Sequence, residues 1–108
     1  MNSRQKGKRG ELEAAKVLRE ALGHETRRGQ QYSGASGDAD VVGLPGVHLE
    51  IKRVEKLNIV EAMKQAVRDA RDGELPVVMH RRNREPWLIT MPLWAFVILY
   101  KAWEKVRK

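Results

Sequence analysis

Residues 37–52 read GDADVVGLPGVHLEIK: an acidic residue enters a short apolar strand, a turn follows, and a second strand carries Glu and Lys two positions apart. Side chains alternate between the two faces of a strand, so Glu50 and Lys52 share one face and the apolar residues around them share the other. Asp40 enters the neighbouring strand, which can bring two carboxylates and one ammonium group together. Carboxylate oxygens are the ligands that a hard cation such as Mg²⁺ prefers. The pattern therefore predicts a magnesium site with a lysine beside it.

The composition indicates one domain and a polyanionic partner. The 108 residues are enough for a single modest core, and 21 Lys plus Arg against 14 Asp plus Glu give a formal charge of +7. This balance favours nucleic acid first and an acidic membrane surface second, through charge neutralisation and counterion release. Together with the paired carboxylates, it predicts metal-dependent cleavage of nucleic acid.

Several classes of protein are excluded by what the sequence lacks. It has no Cys, which excludes a disulfide framework and thiolate chemistry. No apolar segment follows the basic N-terminal residues, as a secretory signal would require. The longest apolar run, residues 93–100, is too short to span a bilayer. We therefore expect an intracellular, cytoplasmic protein with no membrane partner and no small-molecule cofactor beyond a metal ion.

The spacing of apolar residues predicts eight elements in the order α-β-β-β-α-β-β-α. Asn58 has the position of a helix N-cap with Glu61 three residues on, a capping-box arrangement, and Pro92 suits the first turn of the last helix. The predicted fold is a single mixed α/β domain over residues 1–108, with a central five-stranded sheet flanked by helices and a flexible basic arm at residues 1–8. The predicted elements are helix 9–22, strands 24–28, 39–43 and 47–53, helix 59–72, strands 75–80 and 87–91, and helix 92–106.

Glu11 is a third candidate acid. It lies on the helical stripe 11, 15, 18, 22 and so begins the buried face, whereas Glu13 and Glu20 lie on the side that should be solvated. An acid on an inward face needs a partner or a metal. A Glu in the first turn of a helix is also favoured by the helix dipole, and the residues alone leave both interpretations open.

Simpler interpretations also remain open for the strand residues. An isolated E-x-K is common on a solvated edge strand, and Glu50 with Lys52 gains weight only from the pattern around it. Asp38 competes with Asp40, which we prefer because it adjoins the apolar strand and should be held rigidly. His48 shares the face of Glu50 and Lys52, but we expect it to be partly exposed rather than part of the site.

These features, in this order, resemble the PD-(D/E)XK nuclease superfamily, and within it the archaeal-type Holliday junction resolvases. In that family a basic segment with Lys-Gly precedes a helix that holds a catalytic Glu, as Lys6-Gly7 precedes Glu11 here. A loop rich in Ser and Gly follows, like residues 32–37. An Asp with two apolar residues comes next, like residues 40–42, and then an E-x-K strand, like residues 50–52.

The resemblance covers roughly residues 6–70 and implies a restriction-endonuclease-like fold and a compact nuclease of a phage or prokaryotic recombination system. Ala39 stands where the superfamily's name has Pro. The resemblance further implies that Mg²⁺, replaceable by Mn²⁺, is bound by three acids and one backbone carbonyl: Asp40, Glu50, Glu11 and Ile51. Lys52 would orient the attacking water or stabilise the pentacovalent phosphate. Gln65 would position that water or support Lys52, unless it is only a solvated helix residue.

Cations spread along the chain would bind phosphate groups of DNA without reading its sequence. By the resemblance, Ser33 and Ser36 would donate hydrogen bonds to phosphate as well. The charged turn at residues 81–84 would add a contact, unless it only improves solubility. The cations predicted to bind DNA are Arg4, Lys6, Lys8, Arg9, Arg27, Arg28, Arg53 and Lys56.

The last helix is apolar around more than one face, so it either packs wholly into the core or also contacts a second subunit. A two-fold homodimer would suit a resolvase, because two symmetric sites can cut two opposed strands. The function predicted is a Mg²⁺-dependent, structure-selective DNA endonuclease that hydrolyses phosphodiester bonds at four-way junctions. The alternatives are a nicking, repair or restriction-type endonuclease of the same fold, a non-catalytic nucleic-acid-binding module, and an accessory subunit that docks through the last helix.

Overall fold

A mixed sheet with its longest strands at the centre organises the chain. The computed structural model describes residues 3–29 and 39–107, with side chains from Gln5 onward. Within these residues the elements are α1 (Ser3–Leu22), β1 (Arg27–Arg28), β2 (Val41–Val42), β3 (Val47–Arg53), α2 (Ile59–Asp69), β4 (Leu75–Arg81), β5 (Leu88–Thr90) and α3 (Leu93–Val106). The predicted element order and the α/β fold with a five-stranded sheet are confirmed, and the arrangement is consistent with a restriction-endonuclease-like fold.

The strands lie in the order β1-β2-β3-β4-β5. The central pair β3–β4 is parallel, and the other neighbouring pairs are antiparallel. A parallel pair needs a crossover, and α2 supplies it. Asn58 caps this helix, because its side chain accepts a hydrogen bond from the backbone N–H of Glu61 at 3.1 Å, as the capping-box pattern predicted.

Helices cover both faces of the sheet. Ala14 and Ala15 of α1 pack against Leu49 and Ile51 of β3, together with neighbouring apolar residues of β2 and β4. On the opposite face, a smaller cluster joins α2 to Val78 of β4 through Ala62 and Ala66 of the helix. Since both faces are covered, the residues at the centre of β3 are buried on each side, polar ones included.

Several boundaries differ from those predicted. Helix α1 begins at Ser3 rather than at about residue 9, so the basic residues expected in an arm form its first turns. Strands β1, β2 and β5 are shorter than predicted, and α2 ends at Asp69 rather than near residue 72. Strand β3 has the predicted bounds. None of the helices in the described ranges combines the length and apolar character needed to cross a bilayer.

Gly10 allows α1 to lie close to the end of β3. A Cβ atom built on Gly10 would be 2.7 Å from the Cβ of Arg53, closer than real carbon atoms approach. The backbone of α1 at Gly10 therefore lies directly against Arg53, at the end of the strand that carries Glu50 and Lys52. This contact brings the first turns of α1 next to the end of β3 that holds Lys52.

Candidate active site

Asp40 lies where β2 and β3 begin to pair. The two strands share a single register pair, Val41 with Leu49. Just beyond it, the backbone N–H of Ile51 donates to Asp40 Oδ2 at 2.8 Å, so the carboxylate takes the place of a strand partner. The N–H of Gly29 donates to the Asp40 carbonyl at 2.8 Å. These bonds fix both the backbone and the carboxylate of Asp40, which is only 8% exposed.

Glu50 approaches the same point from β3 and is 2% exposed. Burial and the nearby Glu50 carboxylate raise the pKa of Asp40 from 3.8 to about 7, with a smaller contribution from Glu11, against the opposing effect of the Ile51 N–H bond. The predicted convergence of Asp40 and Glu50 therefore occurs, and it concentrates negative charge in a buried place. Asp38, the competing acid, lies outside the described residues.

His48 is buried, contrary to the prediction from the sequence. It is 1% exposed rather than partly exposed, and its Nε2 lies 2.7 Å from Glu50 Oε1. Its pKa is raised by the hydrogen bond to Glu50 in spite of burial, and the negative charges of Glu74 and Asp69 add to the effect. The physical reason for the error is that α2 covers this face of β3, whereas a solvated face was expected. The alternation that put His48 on the face of Glu50 was the available signal.

Lys52 follows Glu50 on the same face and reaches toward α2. Its Nζ donates to Gln65 Oε1 at 3.4 Å. The two side chains line an open cavity of about 440 Å³, which Lys56 and Arg68 also border. The predicted pairing of Lys52 with Gln65 is thus present in the geometry. The cavity leaves the ammonium group accessible to an anion.

Glu11 and Glu13 both pair with arginines. Glu11 accepts a hydrogen bond from Arg28 Nε at 2.6 Å and is near enough to Asp40 to affect its pKa. Glu13, expected on the solvated side, accepts from Arg81 Nη1 at 2.7 Å. Its side chain is still 37% exposed, and the pair forms because Arg81, at the end of β4, reaches across to α1. Glu11 thus lies close enough to Asp40 for an electrostatic effect, while its carboxylate is paired with Arg28.

Of the residues predicted to bind DNA, Lys56 borders the cavity of Lys52 and Arg28 pairs with Glu11, and the others fall into three sets. Lys6, Arg9 and Arg53 border a common cavity of about 480 Å³ next to the end of β3. Lys8 and Arg27 are exposed on α1 and β1. Ser33 and Ser36, together with the side chain of Arg4, lie outside the described part of the chain.

The donor set at this point of the fold fits a hard divalent cation. Asp40 and Glu50 offer carboxylate oxygens, and their mutual repulsion, reflected in the raised pKa of Asp40, is what a bound cation would relieve. A neighbouring combination, His48 with Glu50 and Asp69, also has ligand atoms within 4.8 Å of one another. Both combinations share Glu50, so Glu50 is the central acid of the site.

The site and the fold agree with a comparison against protein families. Residues 2–106 match the family described as "Phage putative PDDEXK endonuclease". The chain belongs to this family, and the predicted membership of the PD-(D/E)XK superfamily is confirmed. A search of curated proteins returned no significant match.

Proposed function

We propose that this protein is a Mg²⁺-dependent DNA endonuclease that resolves four-way junctions. The observation that carries the proposal is the convergence of Asp40 and Glu50 beside Lys52 on strands held by a rigid sheet. The family to which the chain belongs supports endonuclease activity. As a phage enzyme acting on DNA, it would work in the cytoplasm of the host cell.

Asp40 and Glu50 would hold the metal, with the carbonyl of Ile51 and the carboxylate of Glu11 as further donors. When bound, Mg²⁺ or Mn²⁺ supplies charge neutralisation at the phosphate and lowers the pKa of water. Glu11 already shares its carboxylate with Arg28, so its contribution would be weaker than that of the central pair. The Ile51 N–H bond would keep Asp40 aimed at the site.

Lys52 would act on the phosphate itself. Its ammonium group borders an open cavity and can stabilise the negative charge that develops on the phosphoryl oxygens, or orient the attacking water. Gln65, 3.4 Å away, would hold the ammonium group on the side of the scissile bond. Lys56, which borders the same cavity, would bind an adjacent phosphate of the strand.

The junction substrate would be held by two sets of cations that lie near the end of β3. One set surrounds the cavity of Lys6, Arg9 and Arg53, and the other surrounds the cavity of Lys52 and Lys56. One set lies on α1 and at the end of β3, and the other lies at the end of β3 and in the loop that follows it, so a bent or branched backbone could contact both. The other proposed contacts are Arg4, Lys8, Arg27, Arg28, Ser33 and Ser36.

The proposal is tested by measuring cleavage of a labelled four-way junction and of linear, nicked and flap DNA. Each substrate is assayed once with Mg²⁺ and once with EDTA. Paired symmetric cuts in the junction that require the metal are expected. Glu50→Ala should abolish cutting and retain binding, whereas Glu20→Ala, an exposed acid on the same helix as Glu11, should cut normally. Metal-dependent cutting of linear or flap DNA alone would replace the resolvase with a nuclease of another specificity. Binding without cutting on any substrate would overturn the enzyme assignment.

The terminal helix supports a homodimer. Ala95 is the buried residue of α3, whereas nine large apolar side chains of the helix are each at least 39% exposed. At roughly 100 Å² apiece they present about 900 Å² around the helix, so an interface that covers the larger share of them would be of the same order as the ~800 Å² that each partner contributes to a stable complex. The nine are Leu93, Trp94, Phe96, Val97, Ile98, Leu99, Tyr100, Trp103 and Val106.

A second copy of the chain is the occupant we propose for this surface. An apolar cavity of about 560 Å³ adjoins the start of α3 and is bordered by Val60, Met63 and Val67 of α2. The α3 helix of one protomer can lie across this cavity of its partner, and the reverse contact follows by two-fold symmetry. Light scattering should give twice the chain mass, and Phe96→Asp or Val67→Asp should each give the monomer. A monomeric wild-type protein would refute the dimer.

A further inference from the structure

His48 makes a hydrogen bond that nothing in the proposed chemistry yet uses. Its Nε2 lies 2.7 Å from Glu50 Oε1, and both side chains are almost completely buried. Nε2 is the ring nitrogen in hydrogen-bond contact with Glu50, and it can donate to a carboxylate oxygen as the Nε2–H tautomer or as the imidazolium. One carboxylate oxygen of Glu50 is therefore held by the protein itself.

The other edge of the imidazole ring faces acids as well. His48 Nδ1 lies 3.9 Å from Glu74 Oε1, and a carboxylate oxygen of Asp69 lies within 4.8 Å of one ring nitrogen of His48 and of a Glu50 carboxylate oxygen. Asp69 is the last residue of α2 and Glu74 precedes β4, so the ring is surrounded by groups from three elements. This environment restricts the ring to one orientation, with Nε2 toward Glu50.

A fixed ring fixes the carboxylate that it contacts. A Glu side chain has three rotatable bonds, and an unrestrained Glu50 would have to lose that freedom when it binds a cation. Partners that hydrogen-bond metal-binding carboxylates orient them, and their loss commonly weakens metal binding by 10- to 100-fold. With Oε1 held by His48, Glu50 can direct its other oxygen toward Asp40.

We propose that His48 is a positioning residue that holds the Glu50 carboxylate in the orientation needed to bind a divalent cation together with Asp40. The inference rests on the proposed function, because it concerns the same carboxylate pair. It differs from the alternative in which His48 is itself a metal ligand with Glu50 and Asp69. In the arrangement that we propose, Nε2 donates to Glu50, and a donating ring nitrogen has no lone pair for a metal.

Three variants separate these possibilities. His48→Leu removes the donor and keeps most of the buried volume, whereas His48→Gln retains an N–H group near the position of Nε2. Thr26→Val is the matched control, since Thr26 Oγ1 donates a buried hydrogen bond of the same 2.7 Å length to the Ala15 carbonyl, away from the carboxylates. Binding of Mn²⁺ is followed by the electron paramagnetic resonance signal of the free ion, and cleavage is measured as a function of Mg²⁺ concentration.

We expect His48→Leu to bind Mn²⁺ at least about tenfold more weakly than the wild type, with cleavage recovering as Mg²⁺ is raised. His48→Gln should recover most of the affinity, and Thr26→Val should bind the metal normally. Equal affinity of His48→Leu and wild type would overturn the inference and leave the proposed function standing. Equal weakness of the Gln and Leu variants would also overturn it, since the donor would then not matter. Absence of Mn²⁺ binding by the wild type would refute both this inference and the proposed function.

Discussion

The buried carboxylate pair should make the metal-free protein less stable at neutral and alkaline pH than a variant without the Asp40 charge. Asp40→Asn preserves an oxygen that can accept the Ile51 N–H bond, and its amide can donate to Glu50. It removes the charge that is buried beside another carboxylate. We therefore expect the substitution to stabilise the metal-free fold while it destroys the proposed metal site.

The size of the effect follows from the pKa of Asp40. A rise from 3.8 to about 7 corresponds to roughly 4 kcal/mol of folding free energy, lost by the wild type between these two pH values. Because the pKa of Asp40 is raised in the folded protein, its charged form opposes folding. The stability of the metal-free wild type is therefore highest in acid and falls as the pH rises toward 7. If local relaxation removes half of the effect, about 2 kcal/mol remains, which is about 9 °C in melting temperature for a chain of this length.

Calorimetric melting in EDTA at about pH 8 and about pH 5 measures this difference. Asp40→Asn should melt higher than the wild type at the alkaline pH, and the gap should narrow in acid. His48, whose pKa is raised, also favours the fold at low pH. Both proteins contain His48, so its effect largely cancels when their melting temperatures are subtracted.

Mg²⁺ should raise the melting temperature of the wild type more than that of the variant. Asp72→Asn, at an exposed acid, is the control. A variant that is less stable than wild type at pH 8, or a gap that does not change with pH, would refute the reasoning.

Two further substitutions test how the fold positions the site. Gly29→Ala would place a Cβ atom against the Ala39 carbonyl oxygen, beside Asp40. We therefore expect folding stability to fall by about 1–3 kcal/mol, measured by melting. Mn²⁺ binding, measured by the paramagnetic resonance of the free ion, should also be weaker. Asn58→Ala removes the cap of α2 and should lower folding stability by about 1 kcal/mol, measured by melting. Asn58→Asp keeps a capping oxygen and should change stability little. Equal losses for the two variants would contradict a capping role.

The elements that could be predicted are those in which local chemistry and packing agree. Strand β3 was predicted with its observed bounds because alternation, β-branched residues and a Pro-Gly turn all indicate the same segment. The start of α1 was missed because residues 3–9 have no apolar periodicity and include Gly7, which disfavours a helix. Once the apolar turns of α1 are packed, extending the helix by a few polar residues needs no new nucleus.

The site was predictable in its acids and not in their partners. Asp40, Glu50 and Lys52 are close in sequence, so strand alternation together with the surrounding pattern was enough to single them out. The pairs Glu11 with Arg28 and Glu13 with Arg81 join residues 17 and 68 positions apart, so no local pattern can reveal them. Burial of His48 depends on which face of β3 is covered, and that is decided by the parallel pairing with β4 and the crossover helix α2.

The buried polar residues distinguish structural from functional demands on this small core. In the described ranges, Thr26, Asp40, His48 and Glu50 are the buried polar or charged residues. Thr26 is satisfied by one hydrogen bond to α1, which is what stability alone requires. The other three meet around Glu50, where apolar residues of similar volume would give an equally compact and more stable core. A chain of only 108 residues has little stability to lose, so a cluster of this kind is best explained by what it binds. A divalent cation would relieve the repulsion between Asp40 and Glu50 directly, and it would also supply the charge neutralisation and activated water of the proposed phosphodiester hydrolysis.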